Sequence, residues 1–295
     1  MIRIGVDFGG TKIEAAALDA QGRFLARVRA PSPKAYDAAL ETVRDLVAEA
    51  ERQAGARAPR VGVGIPGSVS PVSGLIRNAN STHLNGRPLQ ADLEAALGRP
   101  VRLANDANCF ALSEATDGAG QGARVVFGVI LGTGCGGGVV VDGQSLSGRN
   151  GVAGEWGHAP LPWPKADELP APDCWCGRRG CLELWVSGSG LGRSWKPGAD
   201  GAAVVAAAQA GEPSAVAALR AYVDRLGRGL ALVCDVLDPD VIVLGGGMSN
   251  LDALYDRLPA AIAPHVFSDV FATPVVKAAH GDSSGVRGAA WLWPT

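Results

Sequence analysis

The alternation of apolar and polar positions predicts that the chain opens with three strands, followed by alternating helices and strands. Short apolar runs separated by glycine-rich or polar turns indicate the strands, and an apolar face repeating every three to four residues indicates the helices. The strands predicted in this first half are Ile2–Asp7, Glu14–Leu18, Phe24–Arg29, Val61–Ile65 and Val101–Leu103. The helices are Ala35–Gln53, Leu89–Leu97 and one that begins near Asp106.

The same order of elements then restarts. The predicted strands of the second half are Val125–Leu131, Gly138–Asp142, Val241–Leu244 and Val275–Ala278. Its predicted helices are Ala202–Ala210, Ala215–Val236, Leu251–Ile262 and Ser284–Trp293. Two successive α/β halves, each opening on a hairpin with a glycine turn, predict two lobes of similar topology with a cleft between them. The proline-rich segment Leu161–Asp173 is predicted to be a loop.

Charge and composition narrow the class of protein. The 295 residues carry 27 basic and 29 acidic side chains, a net charge of −2 with no block of like charge. This balance argues against nucleic acid or an anionic membrane surface as a partner. The longest uncharged run, Val125–Val141, is rich in glycine and shorter than the roughly 20 apolar residues that a spanning helix needs. Since the first residues do not resemble a secretory signal, we expect a soluble, cytoplasmic protein.

A compact group of metal-ligating side chains stands out in the second half. The group consists of His158, Cys174, Cys176 and Cys181. Three cysteines and one histidine are typical of closed structural zinc sites. Disulfides in a secreted protein, or simply buried thiols, are the alternatives. Glu155 and Glu183 flank the group, so a zinc ion here would hold two acids and an imidazole in one place.

Three glycine clusters lie at the ends of predicted strands, within residues 7–12, 131–138 and 244–248. Glycine allows backbone amides to converge on an anion, and the hydroxyls of Thr11 and Thr133 add donors. The first two clusters partly match nucleotide-binding fingerprints, but a strand rather than a helix follows each of them. Each cluster alone could be an ordinary hairpin turn. Their equivalent places in the two halves favour a pair of phosphate-binding turns.

Two aspartates are candidates for phosphoryl-transfer chemistry. Asp7 ends a strand beside the first glycine turn, where it could hold a nucleotide-bound Mg²⁺ or cap an Asx turn. Asp106 follows a buried strand and lies at a helix start, where it could accept a hydroxyl proton. A helix N-cap formed by Asn105 or Asp106 is the alternative. The polar loop Asn78–Thr82 suits sugar hydroxyls, or is an ordinary turn.

These motifs together resemble the ROK family of sugar kinases. The matching segments are Asp7–Lys12, Asn105–Asn108, Leu131–Gly134, Glu155–His158, Cys174–Glu183 and Gly245–Gly247. The resemblance implies a two-lobe, actin-like (ribonuclease H-like) α/β ATPase fold with duplicated βββαβα-type halves and an inserted zinc-binding segment. It implies an N-terminal lobe over residues 1–118 and a C-terminal lobe over 119–283, which carries the zinc motif 155–183. A C-terminal helix, about 284–295, would pack back on the first lobe.

The resemblance also assigns roles, with ATP and a hexose as substrates, Mg²⁺ and structural Zn²⁺ as cofactors, and a homodimer as the assembly. Asp106 matches the catalytic base. The nucleotide and its Mg²⁺ would contact Asp7, Gly9, Gly10, Thr11, Lys12, Gly132, Thr133, Gly134, Gly245, Gly246 and Gly247. The sugar would contact Gly67, Asn80, Asn105, Asp106, Glu155, His158 and Glu183. The zinc ligands would be His158, Cys174, Cys176 and Cys181.

Within the family, two segments most resemble bacterial mannofructokinase (fructokinase). They are Asn78–Gly86 and the ending His280–Trp293. Phosphorylation of fructose, and also mannose, at carbon six is therefore the expected reaction. An N-acetylglucosamine kinase or glucokinase of the same family is the alternative. A sugar-responsive repressor of this family would carry a helix-turn-helix before the kinase-like core, which a chain opening on the first strand argues against.

Overall fold

The computed structural model of the protein describes residues 1–293, which form two five-stranded sheets and one two-stranded sheet, flanked by helices. The strands are β1 (Arg3–Phe8), β2 (Lys12–Leu18), β3 (Phe24–Pro31), β4 (Val61–Ile65), β5 (Ser68–Val69), β6 (Ile76–Arg77), β7 (Val101–Asn105), β8 (Val125–Leu131), β9 (Cys135–Val141), β10 (Gln144–Ser145), β11 (Val241–Gly245) and β12 (Val275–Lys277). The α-helices are α1 (Tyr36–Ala54), α2 (Leu89–Leu97), α3 (Asp106–Asp117), α4 (Glu183–Val186), α5 (Gly188–Trp195), α6 (Gly201–Gln209), α7 (Pro213–Leu237), α8 (Ala253–Ile262) and α9 (Ser284–Trp291).

The two sheets share one topology. The first has the order β3-β2-β1-β4-β7 and the second has the order β10-β9-β8-β11-β12. In the first sheet β2 is antiparallel to β1 and β3, whereas β4 is parallel to β1 and β7. In the second, β11 runs parallel to both β8 and β12. The α/β fold with two similar sheets, expected from the order of elements, is confirmed.

The apolar patterns in the sequence correspond to the residues that the fold buries. Strands β4 and β11 are buried along their whole length, and each was predicted from a continuous apolar run. Helix α1 buries the predicted stripe Ala39, Val43, Leu46, Val47 and Ala50, and Gly55, in the left-handed conformation with φ of 65°, caps its C-terminus. Across residues 1–293, the helices all lack the combination of length and apolar character that crossing a bilayer requires.

Several elements differ from the sequence prediction. Strand β9 begins at Cys135 rather than Gly138, because pairing within the sheet extends it through residues with little strand propensity of their own. Helix α5 is rich in glycine and was not predicted. The side chain of Ser187 caps it by accepting a hydrogen bond of 2.9 Å from the amide of Gly190. Helix α9 ends at Trp291; positions 294 and 295 of the predicted C-terminal helix lie outside the described residues.

Contacts divide the chain into two units. The first contains residues 1–122, 138–154 and those from His280 onward, and the second contains residues 123–137 and 155–279. The sequence predicted lobes over residues 1–118 and 119–283, with a C-terminal helix, about 284–295, packed back on the first lobe. Residues 138–154 group with the first unit because β10, which they include, contacts α3. The chain therefore crosses between the units several times.

Helix α9 packs closely on the sheet of the first unit, against β1, β4 and α3. A Cβ atom at Gly62 would overlap the carbonyl oxygen of Ala289, and one at Gly288 would overlap that of Cys109. The glycines therefore let the α9 backbone approach both the sheet and α3. This packing helps to fix α3, which begins at Asp106.

Candidate functional site

The two candidate aspartates belong to the first unit and lie at the carboxyl ends of parallel strands of its sheet. Asp7 is the next-to-last residue of β1, and Asp106 directly follows β7. Because β1, β4 and β7 are parallel, their carboxyl ends lie at one edge of the sheet, where α/β proteins bind ligands. Burial, followed by the charges of Asp106 and Glu14, raises the pKa of Asp7 from 3.8 to about 6. A half-buried carboxyl near a second carboxyl is suited to a cation.

Asn105, rather than Asp106, is the N-cap residue of helix α3. The Oδ1 atom of Asn105 accepts a hydrogen bond of 2.9 Å from the amide of Ala107. The Oδ1 atom of Asp106 accepts from the same amide at 2.8 Å. The Nδ2 group of Asn105 also donates to the carbonyl oxygen of Gly67 at 3.0 Å. Asn105 is therefore the N-cap of the helix and shares the Ala107 amide with Asp106, and it also links to Gly67, another predicted sugar contact.

The polar loop of the first unit is held by its own side chains. The Asn85 amide donates to the carbonyl of Ala79 and accepts from its N–H, both at 2.9 Å. This clamp leaves the neighbouring Asn80 exposed. Lys12, a predicted phosphate contact, lies 3.8 Å from Glu14 in an ion pair. The lysine is therefore oriented toward an acid of its own strand.

The two glycine turns of the second unit border one cavity of about 860 Å³. Gly132 and Thr133 line it from one turn, and Gly247 and Met248 line it from the other. The N–H of Gly188, at the start of α5, donates to the carbonyl of Gly132 at 2.8 Å and holds that turn in place. The cavity size is in the range of small-ligand sites. These predicted nucleotide positions are therefore brought together by the fold.

Gly134 of the same turn serves a different purpose. A Cβ atom at this position would lie 2.7 Å from Oε2 of Glu183. Glycine therefore leaves room for the carboxylate of Glu183, which accepts a hydrogen bond of 3.1 Å from the amide of Cys135. The turn that follows β8 thus contacts a predicted sugar-binding acid.

The predicted zinc ligands converge in the second unit. The ligand atoms of His158, Cys174, Cys176 and Cys181 all lie within 4.8 Å of one another. The distance from Cys174 Sγ to His158 Nδ1 is 3.8 Å, and from Cys176 Sγ to Cys181 Sγ it is 3.6 Å. Ligands bound at about 2.3 Å to a tetrahedral zinc are separated by about 3.8 Å. All six cysteines are free thiols, and the donor set fits zinc.

Thiols must lose their protons to bind a metal ion. Burial, followed by hydrogen bonds and charges from Cys176 and Cys174, raises the pKa of Cys181 to about 12. Thiols this close together cannot all ionise unless a cation compensates them. His158 presents Nδ1 to the cluster, so Nε2 lies on the opposite side of the ring. Metal and sugar contacts are therefore compatible on one imidazole.

The proline-rich segment Leu161–Asp173 contains a buried ionic anchor that the sequence analysis missed. Glu168 and Arg228 are 2% and 1% exposed and lie 2.6 Å apart, and Arg225 lies 2.8 Å from the same carboxylate. Burial favours protonation of Glu168, but hydrogen bonds from Arg228 and Arg225 outweigh it and lower its pKa to about 2. Arg228 also donates to the carbonyls of Pro162 and Trp163 at 2.8 and 2.9 Å. The sequence feature that could have indicated this anchor is the pair of arginines, Arg225 and Arg228, among the apolar positions of α7.

Trp175, between two of the predicted zinc ligands, was also missed. Its indole N–H donates to Oε1 of Glu183 at 2.7 Å. Its ring packs edge to face on His158, with ring centroids 4.9 Å apart. An aromatic residue within a cysteine motif carries no signal of its own, and only the fold places this one against two candidate sugar ligands.

Comparison with known proteins identifies the family. A model of the ROK family matches residues 3–295. The N-acetyl-D-glucosamine kinase of Yersinia pseudotuberculosis (serotype IB, strain PB1/+) is 41% identical, and the match covers 98% of this chain and 97% of that protein.

Solved structures agree with this result. The ROK hexokinase from Thermus thermophilus superposes with a TM-score of 0.88 at 36% identity, covering 99% of this chain and 97% of the other. A ROK family glucokinase from Streptomyces griseus, in complex with glucose and AMPPNP, gives 0.80 at 31% identity and 99% of both chains. This chain therefore belongs to the ROK family and is a sugar kinase.

Proposed function

We propose that this protein transfers the γ-phosphoryl group of ATP to a hydroxyl of N-acetyl-D-glucosamine. The observation that carries the choice of sugar is the 41% identity, over 98% of the chain, to N-acetyl-D-glucosamine kinases. It supports the alternative of the sequence analysis over fructose, which rested on two short segments. The glucokinase complex with glucose and AMPPNP supports an adenine nucleotide as the donor.

In this proposal Asp106 accepts the proton of the attacking hydroxyl. It lies directly after β7, beside the N-cap Asn105, and helix N-terminal amides stabilise the negative charge that a general base needs. A bound Mg²⁺ would neutralise charge on the phosphates, and Asp7 is the residue that would help to hold it. The turns at Gly132–Gly134 and Gly245–Gly247 would bind the nucleotide at the cavity that they border.

Glu155, His158 and Glu183 would bind sugar hydroxyls. The zinc ion proposed at the Cys₃His cluster would be structural, because four protein ligands leave no position for water. Its contribution would be to fix His158 and the segment that ends at Glu183. We further propose Asn80 and Asn105 as sugar contacts and a homodimer as the assembly, both on the basis of the family resemblance.

A coupled assay of ADP release tests the function. N-acetylglucosamine, glucose, mannose and fructose are each supplied with ATP and Mg²⁺, and the highest kcat/KM is expected for N-acetylglucosamine. A preference for fructose of 10-fold or more would reject the proposed sugar and restore the first expectation.

The role of Asp106 is tested by Asp106→Asn, which preserves size and hydrogen bonding but removes the base. Turnover should fall by about 10²–10⁴-fold, with the affinity for sugar changed less than threefold. Asp45→Asn, at an exposed position of α1, is the matched control and should keep full turnover. Turnover of Asp106→Asn within 10-fold of the wild type would refute this mechanism.

A further inference from the structure

Trp175 is an exposed tryptophan within the cysteine cluster, although the residues on either side of it are held in place. Its neighbours Cys174 and Cys176 belong to a tight turn, in which the N–H of Gly177 donates to the carbonyl of Cys174 at 3.0 Å. This hydrogen bond orders the turn, yet Trp175 remains 68% exposed. Large aromatic side chains left on a rigid surface are common at binding sites.

The apolar side of the cysteine cluster is already filled without Trp175. Leu184 and Trp185 pack against Cys174 and Cys181. Trp185 is further held by Arg225, whose guanidinium lies 4.6 Å from the centre of its ring. The cluster therefore has a packed tryptophan of its own, and Trp175 contributes little apolar burial to it.

Trp175 instead supplies one of the two hydrogen bonds that hold the Glu183 carboxylate. The two carboxylate oxygens of Glu183 have different partners: Oε2 accepts from the Cys135 amide at 3.1 Å, and Oε1 accepts from the Trp175 indole at 2.7 Å. One donor on each oxygen fixes the plane of the carboxylate. A carboxylate can accept about four hydrogen bonds, so two further positions remain for hydroxyl donors.

The same indole also contacts the second candidate sugar ligand. The planes of Trp175 and His158 meet at 84° with centroids 4.9 Å apart. This edge-to-face contact limits rotation of the imidazole, whose Nδ1 points at the cluster. Trp175 thus touches both side chains while most of its own surface remains open.

We propose that Trp175 is a positioning and specificity residue for the sugar, which orients Glu183 through its indole N–H and offers its exposed ring to the apolar face of a hexose. The inference rests on the proposed function, because it takes Glu183 and His158 as sugar ligands. Pyranose rings carry C–H groups on their faces and hydroxyls at their edges. A site with a carboxylate beside an aromatic ring matches both surfaces of such a sugar.

Two substitutions separate the two parts of the role. Trp175→Phe keeps an aromatic ring but removes the donor to Glu183, and should raise KM for the sugar about 10-fold, as expected for a hydrogen bond to a charged group. Trp175→Ala removes both and should raise it further, to about 100-fold. In both variants kcat should stay within about threefold, and KM for ATP should not change.

Trp185→Phe is the matched control. It alters the tryptophan that packs on the cluster, so it should lower the melting temperature while leaving KM for the sugar within twofold. The zinc content of all three variants, by elemental analysis, reports whether the cluster survives. Loss of zinc from Trp175→Phe would assign a merely structural role to Trp175 and overturn the proposal.

Intrinsic fluorescence gives a readout that needs no turnover. N-acetylglucosamine, titrated without ATP, should change the tryptophan emission of the wild type and of Trp185→Phe, and the change should be absent in Trp175→Phe. An unaltered sugar KM in Trp175→Ala, or an unaltered fluorescence change in Trp175→Phe, would refute the role of Trp175. A wild type that prefers another sugar would instead reject the proposed substrate, and the same titration with that sugar would still decide the role of Trp175.

Discussion

Replacement of Asp7 by asparagine should stabilise the fold and abolish turnover at the same time. Burial, followed by Asp106 and Glu14, raises the pKa of Asp7 from 3.8 to about 6. An acid with a raised pKa binds its proton more tightly in the folded chain than in the unfolded chain. Its favourable contribution is therefore fully present below pH 3.8 and is lost as the pH rises through 6. At pH 8 the ionised carboxylate opposes folding.

The size of the effect follows from the same values. One pKa unit corresponds to about 1.36 kcal/mol, so the ionised Asp7 costs the fold about 3 kcal/mol at pH 8. Asparagine resembles the protonated form in shape and carries no charge. We expect Asp7→Asn to raise the free energy of unfolding by about 2–3 kcal/mol at pH 8, by about half as much at pH 5, and by almost nothing below pH 4.

Urea unfolding followed by circular dichroism measures this difference. The titrations are run at pH 8 and pH 5 without Mg²⁺ or nucleotide, because a bound cation would favour the ionised carboxylate. Asp45→Asn is again the control and should change the free energy of unfolding by less than about 0.5 kcal/mol at both pH values, since its carboxylate is exposed. Destabilisation by Asp7→Asn at pH 8, or a gain that does not depend on pH, would refute the reasoning.

Three other substitutions test the packing and the cluster. Gly288→Ala should destabilise the first unit by about 1–3 kcal/mol, seen as a lower urea midpoint, because the added Cβ overlaps the carbonyl of Cys109; an unchanged midpoint would contradict the close packing of α9. Glu168→Gln should cost about 1–3 kcal/mol, because it removes the buried carboxylate from Arg228 and leaves Asp224 as the remaining acid beside that arginine; a neutral result in urea unfolding would show that the ionic anchor is dispensable. Cys181→Ser should lower the zinc content from about one ion per chain, and a full complement of zinc by elemental analysis would exclude Cys181 as a ligand.

Much of the fold could be predicted from local patterns. Strands such as Val61–Ile65 and Val125–Leu131 have the same bounds in the structure as in the prediction, because a continuous apolar run bounded by turn residues has few other solutions. Helix α5 escaped prediction, since its glycines lower helix propensity and its start depends on the cap provided by Ser187. Element ends and short glycine-rich helices are decided by pairing and capping partners elsewhere in the chain.

The candidate site divides in the same way. Cysteine and histidine spacing indicated a metal cluster, and the fold brings those four residues together. The sequence also singled out Glu183, but it did not indicate that Gly134 makes room for its carboxylate or that Trp175 donates to it. The local sequence around Gly134 and Trp175 does not indicate these roles, because each role depends on a contact with Glu183 that the fold creates.

The sequence by itself determined the order of the longer strands and helices, the set of zinc-type ligands and the two aspartates at strand ends. These depend on residue type and on short spacings, which the chain specifies locally. Only the tertiary structure decided which donors hold Glu183, how Glu168 anchors the proline-rich segment to α7, and that Asn105 caps α3 beside Asp106. Such contacts join residues whose distance in space is set by packing, which no local pattern encodes.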